Sequence, residues 1–258
     1  MRMRHLTQKV ASFLKMSKAL APRVSGDMMR AFHGDRCYQK LVLSICSQLP
    51  ISSFVETGTH FGNTTEYMAN AITLPIFTCE VKESYFHSSA ERLKQYKNVK
   101  VFQASSEQVI SQAIDQKLLG PLPFFYLDAH WYDYWPLLDE IEVITSRVPR
   151  CIVIIDDFQV PGCPEYVFCE GGGGSAEFSG RTTVDNRICN FDLIQAKLNY
   201  PAKYEVLYPR YSREEAFGPS DSGTLIGYVA MFKNLELECK PLMDQRFIKD
   251  HFANIVLP

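Results

Sequence analysis

The fold is decided by two short stretches of sequence, residues 124–130 (FFYLDAH) and residues 151–157 (CIVIIDD). Each is a run of aromatic or β-branched residues that ends in acid, which is typical of a strand buried on both faces of a parallel sheet. Ligands of open α/β sheets bind at the carboxyl ends of the strands. The pattern therefore places Asp128, Asp156 and Asp157 where chemistry is expected.

Similar runs alternate with segments of helical length from residue 51 onward, which predicts a parallel sheet covered by helices on both faces. The fold class is therefore α/β, with a seven-stranded and mostly parallel sheet. We expect its strands near residues 51–57, 76–80, 99–103, 123–128, 151–156, 204–208 and 224–232.

A chain of 258 residues fits one large α/β domain, which we place at residues 51–258. Residues 1–50 are expected to be a helical segment that packs on this core. Residues 158–203 form a connection far longer than the usual two to six residues, so we interpret them as a lid or substrate insertion. The run GGGGS at 171–175 matches a flexible linker, and both a native mobile loop and an engineered replacement remain open.

The composition excludes several classes of protein. A net charge of -2 gives no global field for nucleic acid, and no apolar run approaches the roughly 20 residues that cross a bilayer. The eight cysteines contain no Cys-x-x-Cys pair, which favours a reducing, cytoplasmic environment. The basic residues before Asp27 fit either a transit peptide or an ordinary amphipathic helix.

A glycine-containing turn follows the first predicted strand, in residues 56–65 (ETGTHFGNTT). Gly58 and Gly62 allow the backbone to pass close to a ligand. The pattern lacks the Gly-x-Gly-x-x-Gly fingerprint, which argues against a nicotinamide-dependent dehydrogenase. Three polar residues of the turn could donate to a ligand carboxylate or phosphate: Thr59, Asn63 and Thr64.

The second predicted strand ends at Glu80, where Rossmann-like folds bind ribose hydroxyls. Alone, Glu80 would be interpreted as a solvated charge at a strand end. Its spacing from Glu56, Gly58 and Gly62 favours a ligand-binding function.

This arrangement resembles the class I S-adenosylmethionine-dependent methyltransferases over about residues 36–232, including the order of the elements. The resemblance implies a Rossmann-like methyltransferase fold whose last strand, near residues 225–230, runs antiparallel. It implies that the first motif holds the methionine part of the cofactor, that Glu80 binds ribose and that residues 103–107 contact adenine. The implied cofactor residues are Glu56, Gly58, Thr59, Gly62, Asn63, Thr64, Glu80, Ser105, Ser106 and Asp128.

Within that superfamily the chain is most similar to the metal-dependent O-methyltransferases of the catechol and macrocin types, through residues 127–131 (LDAHW) and 155–157 (IDD). The resemblance implies one divalent ion, usually Mg²⁺, held by Asp128, Asp156 and Asp157. Mg²⁺ prefers such oxygen ligands, and a hydroxyl bound to it is acidified and oriented. The alternative, that these acids cap a helix or turn, remains open.

The proton acceptor is expected to be His130, because imidazole titrates near neutral pH. Catechol-type enzymes have a lysine where this chain has Trp131, so a purely structural histidine remains an alternative. Trp131 and Tyr132 are expected to form an apolar wall of the substrate pocket, whereas Trp135 is expected to face the core.

The sequence thus predicts a methyltransferase that uses S-adenosylmethionine, with Mg²⁺ assisting the O-methylation of a small-molecule hydroxyl. No nucleic acid or membrane partner is expected, and a homo-oligomer is allowed. Two alternatives remain: a metal-independent methyltransferase with another acceptor, and a binding module of this fold without catalysis.

Overall fold

The structure is a computed structural model that describes residues 28–130, 135–168, 187–199 and 201–257. Some of the sequence-based predictions fall outside these ranges. They concern the basic segment before residue 28, the pocket residues Trp131 and Tyr132, and the glycine run at 171–175.

Eight strands are found in the described residues: β1 (Ser53–Thr57), β2 (Ile76–Cys79), β3 (Val99–Phe102), β4 (Pro123–Leu127), β5 (Cys151–Ile155), β6 (Tyr204–Pro209), β7 (Val229–Lys233) and β8 (Phe252–Leu257). The α-helices are α1 (Arg36–Gln48), α2 (Asn63–Ala71), α3 (Glu83–Leu93), α4 (Ser106–Asp115), α5 (Leu137–Arg147), α6 (Phe191–Ile194), α7 (Arg213–Phe217), α8 (Lys240–Met243) and α9 (Arg246–His251). Two 3₁₀ segments complete the description, at Met28–Gly34 and Gln195–Lys197.

All eight strands form one sheet in the order β3-β2-β1-β4-β5-β7-β6-β8. Neighbours from β3 through β5 are parallel, while β7 runs antiparallel to both β5 and β6. The predicted α/β class and the antiparallel β7 are confirmed. The strand order reverses between β1 and β4, and in such sheets this switch point is where ligands bind.

The sheet differs from the prediction in having eight strands rather than seven. β8 pairs antiparallel with β6, from Tyr204 opposite Leu257 to Pro209 opposite Phe252. This pairing joins segments that are distant along the chain, so no local pattern reveals it. The expected strand at 224–232 also begins later, because Val167 forms a separate parallel bridge with Ile226.

The central strands β1, β4 and β5 are buried along their whole length. α1 packs its apolar face on the same core through Leu41, Val42 and Ile45, as the sequence predicts. Trp135, at 7% exposure, also lies in the core as expected. One hydrophobic core therefore takes in side chains from both sides of residue 50.

No helix in the described part of the chain is both long enough and apolar enough to span a bilayer.

Asp35 anchors the start of α1, and we expect its loss to be costly. Its buried carboxylate accepts hydrogen bonds from Tyr38 N (2.9 Å) and from the Tyr211 hydroxyl (2.7 Å). Asp35→Ala should lower the free energy of unfolding by about 2–3 kcal/mol, since it removes a helix cap and a buried acceptor together. Chemical denaturation measures this loss.

The matched control is Ser212→Ala at the exposed N-cap of α7, where a capping box is present. It should lose only about 1 kcal/mol, because water can replace the missing acceptor. Equal losses in the two variants would contradict the buried role of Asp35.

Candidate active site at the carboxyl edge of the sheet

The turn after β1 lies directly against the end of β4. Gly58 has a φ of +79°, and a Cβ atom there would stand 2.6 Å from the carbonyl oxygen of Asp128. Gly62 has a φ of +78° and begins α2. Only glycine fits the close approach at Gly58, which brings the predicted cofactor turn next to the first predicted metal acid.

Glu56 stabilises this turn through buried hydrogen bonds. Its side chain is 2% exposed, and Oε2 accepts hydrogen bonds from the hydroxyls of Thr65 and Thr78 (2.9 Å for Thr78). The hydroxyl of Thr59 lies 2.6 Å from that of Thr78. Burial raises the pKa of Glu56 to about 7. Glu56 and Thr59 are thus engaged within the protein and shape the turn.

Glu80 stands at the rim of the turn, where the sequence places the ribose ligand. Its Oε2 accepts from the backbone N–H of His60 (2.8 Å), and Oε1 accepts from the N–H groups of Val81 (3.0 Å) and Lys82 (2.9 Å). These bonds hold the carboxylate in one orientation. Oε1 thus has both of its acceptor sites filled, whereas Oε2 retains one for a ligand hydroxyl.

Three of the other predicted cofactor residues, Asn63, Thr64 and Ser105, have partners within the chain. Asn63 Oδ1 accepts from Arg92 at 2.6 Å, and Thr64 Oγ1 lies 3.5 Å from Phe32 N. At the start of α4, the Ser105 hydroxyl donates to Glu107 (2.5 Å), and Ser106 is buried.

Arg92 is a residue that the sequence reasoning missed. It joins the turn to α3 by also donating to Glu66 and to the carbonyl oxygen of Phe61. An arginine on a helix surface gives no sequence signal for such a role.

Beside the turn, the ends of β4 and β5 bring together Asp128, His130 and Asp157. One ligand atom from each lies within 4.8 Å of the other two. His130 Nδ1 is 3.9 Å from Asp128 Oδ1, and Nε2 is 3.4 Å from Asp157 Oδ2. Asp157 takes a left-handed φ of +52°, which is uncommon for a residue with a side chain.

The crowded carboxylates disfavour one another's charge. Burial raises the pKa of Asp128 well above its usual value, and the negative charge of Asp156 raises it further. The same two causes raise the pKa of Asp157. A cation at this edge would offset the repulsion.

Asp156, the third predicted metal acid, faces a different set of side chains. Its Oδ2 lies 2.5 Å from His33 Nε2, and its Oδ1 accepts from the Tyr38 hydroxyl at 3.2 Å. Burial alone would lower the pKa of His33, but the charge and hydrogen bond of Asp156 outweigh it and raise that pKa to about 10.

The sequence reasoning missed His33 and Tyr38 as members of this site. Both precede the first strand and lie more than 100 residues from Asp156 along the chain. A histidine before a helix cap carries no functional pattern, so only the fold brings these groups together.

No protein-family model and no curated protein matches the chain. Among solved structures, an O-methyltransferase from Bacillus cereus in complex with SAH is similar at 17% identity, covering 88% of this chain and 89% of that one, with a TM-score of 0.48. A putative O-methyltransferase from Klebsiella pneumoniae is similar at 17% identity, covering 87% of this chain and 96% of that one, with a TM-score of 0.46. An rRNA methylase from Streptococcus thermophilus is similar at 17% identity, covering 77% of this chain and 97% of that one, with a TM-score of 0.43.

The raised pKa of Glu56 predicts a dependence of stability on pH. Glu56 keeps its proton up to about pH 7 in the folded state, whereas the unfolded chain releases it near pH 4.5. The contribution of Glu56 to the free energy of unfolding is therefore present at low pH and is lost as the pH rises from 4.5 to 7. The loss should amount to about 3 kcal/mol. Urea denaturation of wild type and Glu56→Gln at pH 5 and pH 8 should show a smaller decline in the variant.

Glu83→Gln is the control, because Glu83 is exposed at the start of α3. It should follow the wild-type dependence. An unchanged decline in Glu56→Gln would contradict the buried, protonated state of Glu56.

Proposed function

We propose that this chain is an S-adenosylmethionine-dependent methyltransferase that transfers the methyl group to a hydroxyl of a small molecule. One observation carries the proposal: the glycine turn after β1, the acid after β2, and the cluster after β4 and β5 all lie at one edge of the sheet, around its switch point. A cofactor in the turn would have its reactive end beside the cluster.

The proposed cofactor site uses the turn for shape and Glu80 for recognition. The approach of Gly58 to Asp128 leaves the turn without side-chain bulk on that side. Glu80, fixed by three backbone donors, is suited to accept a hydrogen bond from a ribose hydroxyl at the free site of Oε2. The positive sulfonium group of the cofactor would be favoured by the neighbouring carboxylates.

We further propose that Asp128 and Asp157 hold a divalent cation, with Mg²⁺ the best fit for two carboxylates. The two carboxylates support this, since an oxygen of one lies within 4.8 Å of an oxygen of the other and both have raised pKa values that a cation would relieve. When bound, Mg²⁺ would acidify and orient the acceptor hydroxyl.

His130 is the proposed proton acceptor. Nε2 faces Asp157 at 3.4 Å and can keep its proton directed there, which leaves Nδ1 to accept a proton. The cofactor would supply the methyl group: the acceptor oxygen would form a bond to the methyl carbon as the carbon–sulfur bond breaks, with its electron pair left on sulfur as a thioether. His130 Nδ1 would take up the hydroxyl proton.

The acceptor class and the cellular setting are proposals of the same kind. Trp131 and Tyr132 follow His130 directly in sequence, which keeps them as the proposed apolar wall for a small acceptor. A net charge of -2 gives no support to a nucleic-acid acceptor. The seven cysteines of the described residues are free thiols, which supports a cytoplasmic location. A homo-oligomer remains compatible with this proposal.

Binding of S-adenosylhomocysteine tests the cofactor site. Isothermal titration should give a binding signal for wild type that weakens in Glu80→Ala by roughly 30-fold in Kd. The reason is the loss of about 2 kcal/mol of hydrogen bonding to a charged acceptor. Glu83→Ala removes a nearby exposed acid and should bind like wild type. Absence of binding to the wild-type protein would refute the methyltransferase proposal.

Binding of Mn²⁺ as a probe tests the cation site independently of activity. Asp157→Asn removes a proposed ligand and should weaken Mn²⁺ binding by about 100-fold. Residues that only orient the ligands are already worth about 10- to 100-fold in metal affinity. Asp250→Asn, an exposed acid paired with Arg246, is the control and should leave binding unchanged.

His130→Gln should stay within about threefold of wild type in Mn²⁺ affinity if His130 accepts a proton rather than ligating the ion. A loss as large as that of Asp157→Asn would instead make His130 a ligand.

A further inference from the structure

The segment Met28–Gly34 crosses the carboxyl edge of the sheet, and we refer to it as the strap. Phe32 is its buried anchor: its ring lies 5.1 Å from Tyr38, 5.8 Å from Tyr67 and 5.2 Å from Tyr126, measured between centroids. The strap is also tied to α1, since the side-chain amide of Gln39 donates to the carbonyl oxygen of Ala31 at 2.9 Å.

The backbone of the strap is bent in an uncommon way to present one side chain. Phe32 and His33 have φ values of 51° and 59°, two consecutive residues in the left-handed region. Such residues cost of order 1–2 kcal/mol each and persist only where the surroundings hold them. Here the bend turns the His33 ring toward the end of β5.

At the end of β5, His33 and Tyr38 together occupy the carboxylate of Asp156. One oxygen faces His33 Nε2 at 2.5 Å and the other accepts from the Tyr38 hydroxyl at 3.2 Å. The Asp156 side chain is fully buried, whereas that of His33 is 35% exposed. Both oxygens of Asp156 are therefore held from one N-terminal segment.

Asp156 is the immediate neighbour of Asp157 in the chain. Its backbone N–H donates to Leu127 O at 3.0 Å, and on the far side Phe158 N donates to Gly227 O at 2.8 Å. Between these two fixed points Asp157 takes its left-handed turn toward Asp128 and His130. A shift of the Asp156 side chain would be passed to Asp157 through one peptide unit.

We propose that His33 is a positioning residue for the cation site, acting through Asp156 to hold the Asp157 carboxylate beside Asp128. This inference rests on the proposed function above and extends it to a segment before the first strand. Groups that orient ligands in this way are worth about 10- to 100-fold in metal affinity.

The test is Mn²⁺ binding to the whole chain, measured by isothermal titration, with S-adenosylhomocysteine binding and thermal unfolding measured in parallel. His33→Ala should weaken Mn²⁺ binding by about 10-fold or more. His33→Gln should restore most of the affinity, because its amide can still donate to Asp156. Tyr38→Phe keeps its ring stacked on Tyr228 but loses the hydroxyl, and should show a smaller loss.

The matched control is His87→Ala, since His87 is exposed on α3 and pairs only loosely with Glu83 at 3.6 Å. It should leave all three measurements unchanged. In His33→Ala, S-adenosylhomocysteine affinity should stay within about twofold of wild type, because the His33 side chain contacts Asp156 and not Glu80.

Unchanged or tighter Mn²⁺ binding in His33→Ala would overturn the inference while leaving the cofactor proposal intact. Parallel loss of Mn²⁺ and S-adenosylhomocysteine binding in that variant would also overturn it, in favour of a general structural role. Wild-type protein that binds S-adenosylhomocysteine but no Mn²⁺ would remove the cation site that His33 is said to position. Wild-type protein that does not bind S-adenosylhomocysteine would refute the proposed function itself.

Discussion

Three carboxylates lie at the ends of two adjacent buried strands, and the rest of the site is organised around the repulsion between them. β4 and β5 run parallel and in register, so their terminal acids cannot move apart without disturbing the sheet. The carboxylates of Asp156 and Asp157 contact different partners, which reduces this repulsion. Asp156 faces inward to His33 and Tyr38, whereas Asp157 turns outward toward His130. Buried like charges persist only when such partners are present.

Much of this edge could be predicted from the sequence, because the relevant signals are local. The apolar runs locate β1 through β5, and their terminal residues locate Glu80, Asp128 and Asp157. The glycines of the first turn are also visible in the sequence, where they predict a close approach to a ligand; in the structure Gly58 lies close to the backbone of Asp128. In a parallel sheet the carboxyl ends of all strands lie at the same edge, so residues that follow separate strands in the sequence are expected to lie close together in space.

The remainder could not be predicted because it depends on contacts between distant segments. Nothing near His33 indicates that its ring reaches Asp156, and nothing near Asp156 indicates which way the carboxylate turns. β8 was missed for the same reason, since nothing in residues 252–257 indicates that they pair with β6. The hydroxyl of Thr59 was expected to donate to a ligand, whereas it lies 2.6 Å from the hydroxyl of Thr78, which donates to the buried Glu56.

The strap also sets the order in which this edge can be completed during synthesis. His33 leaves the ribosome before its partner Asp156, which lies 123 residues further along the chain. Until β5 has been made and has paired with β4, the two left-handed residues of the strap have no carboxylate to hold them. The long loop that this contact closes belongs to the class that forms late in folding. The edge therefore stays unfinished in the nascent chain until β5 has been made and has paired with β4.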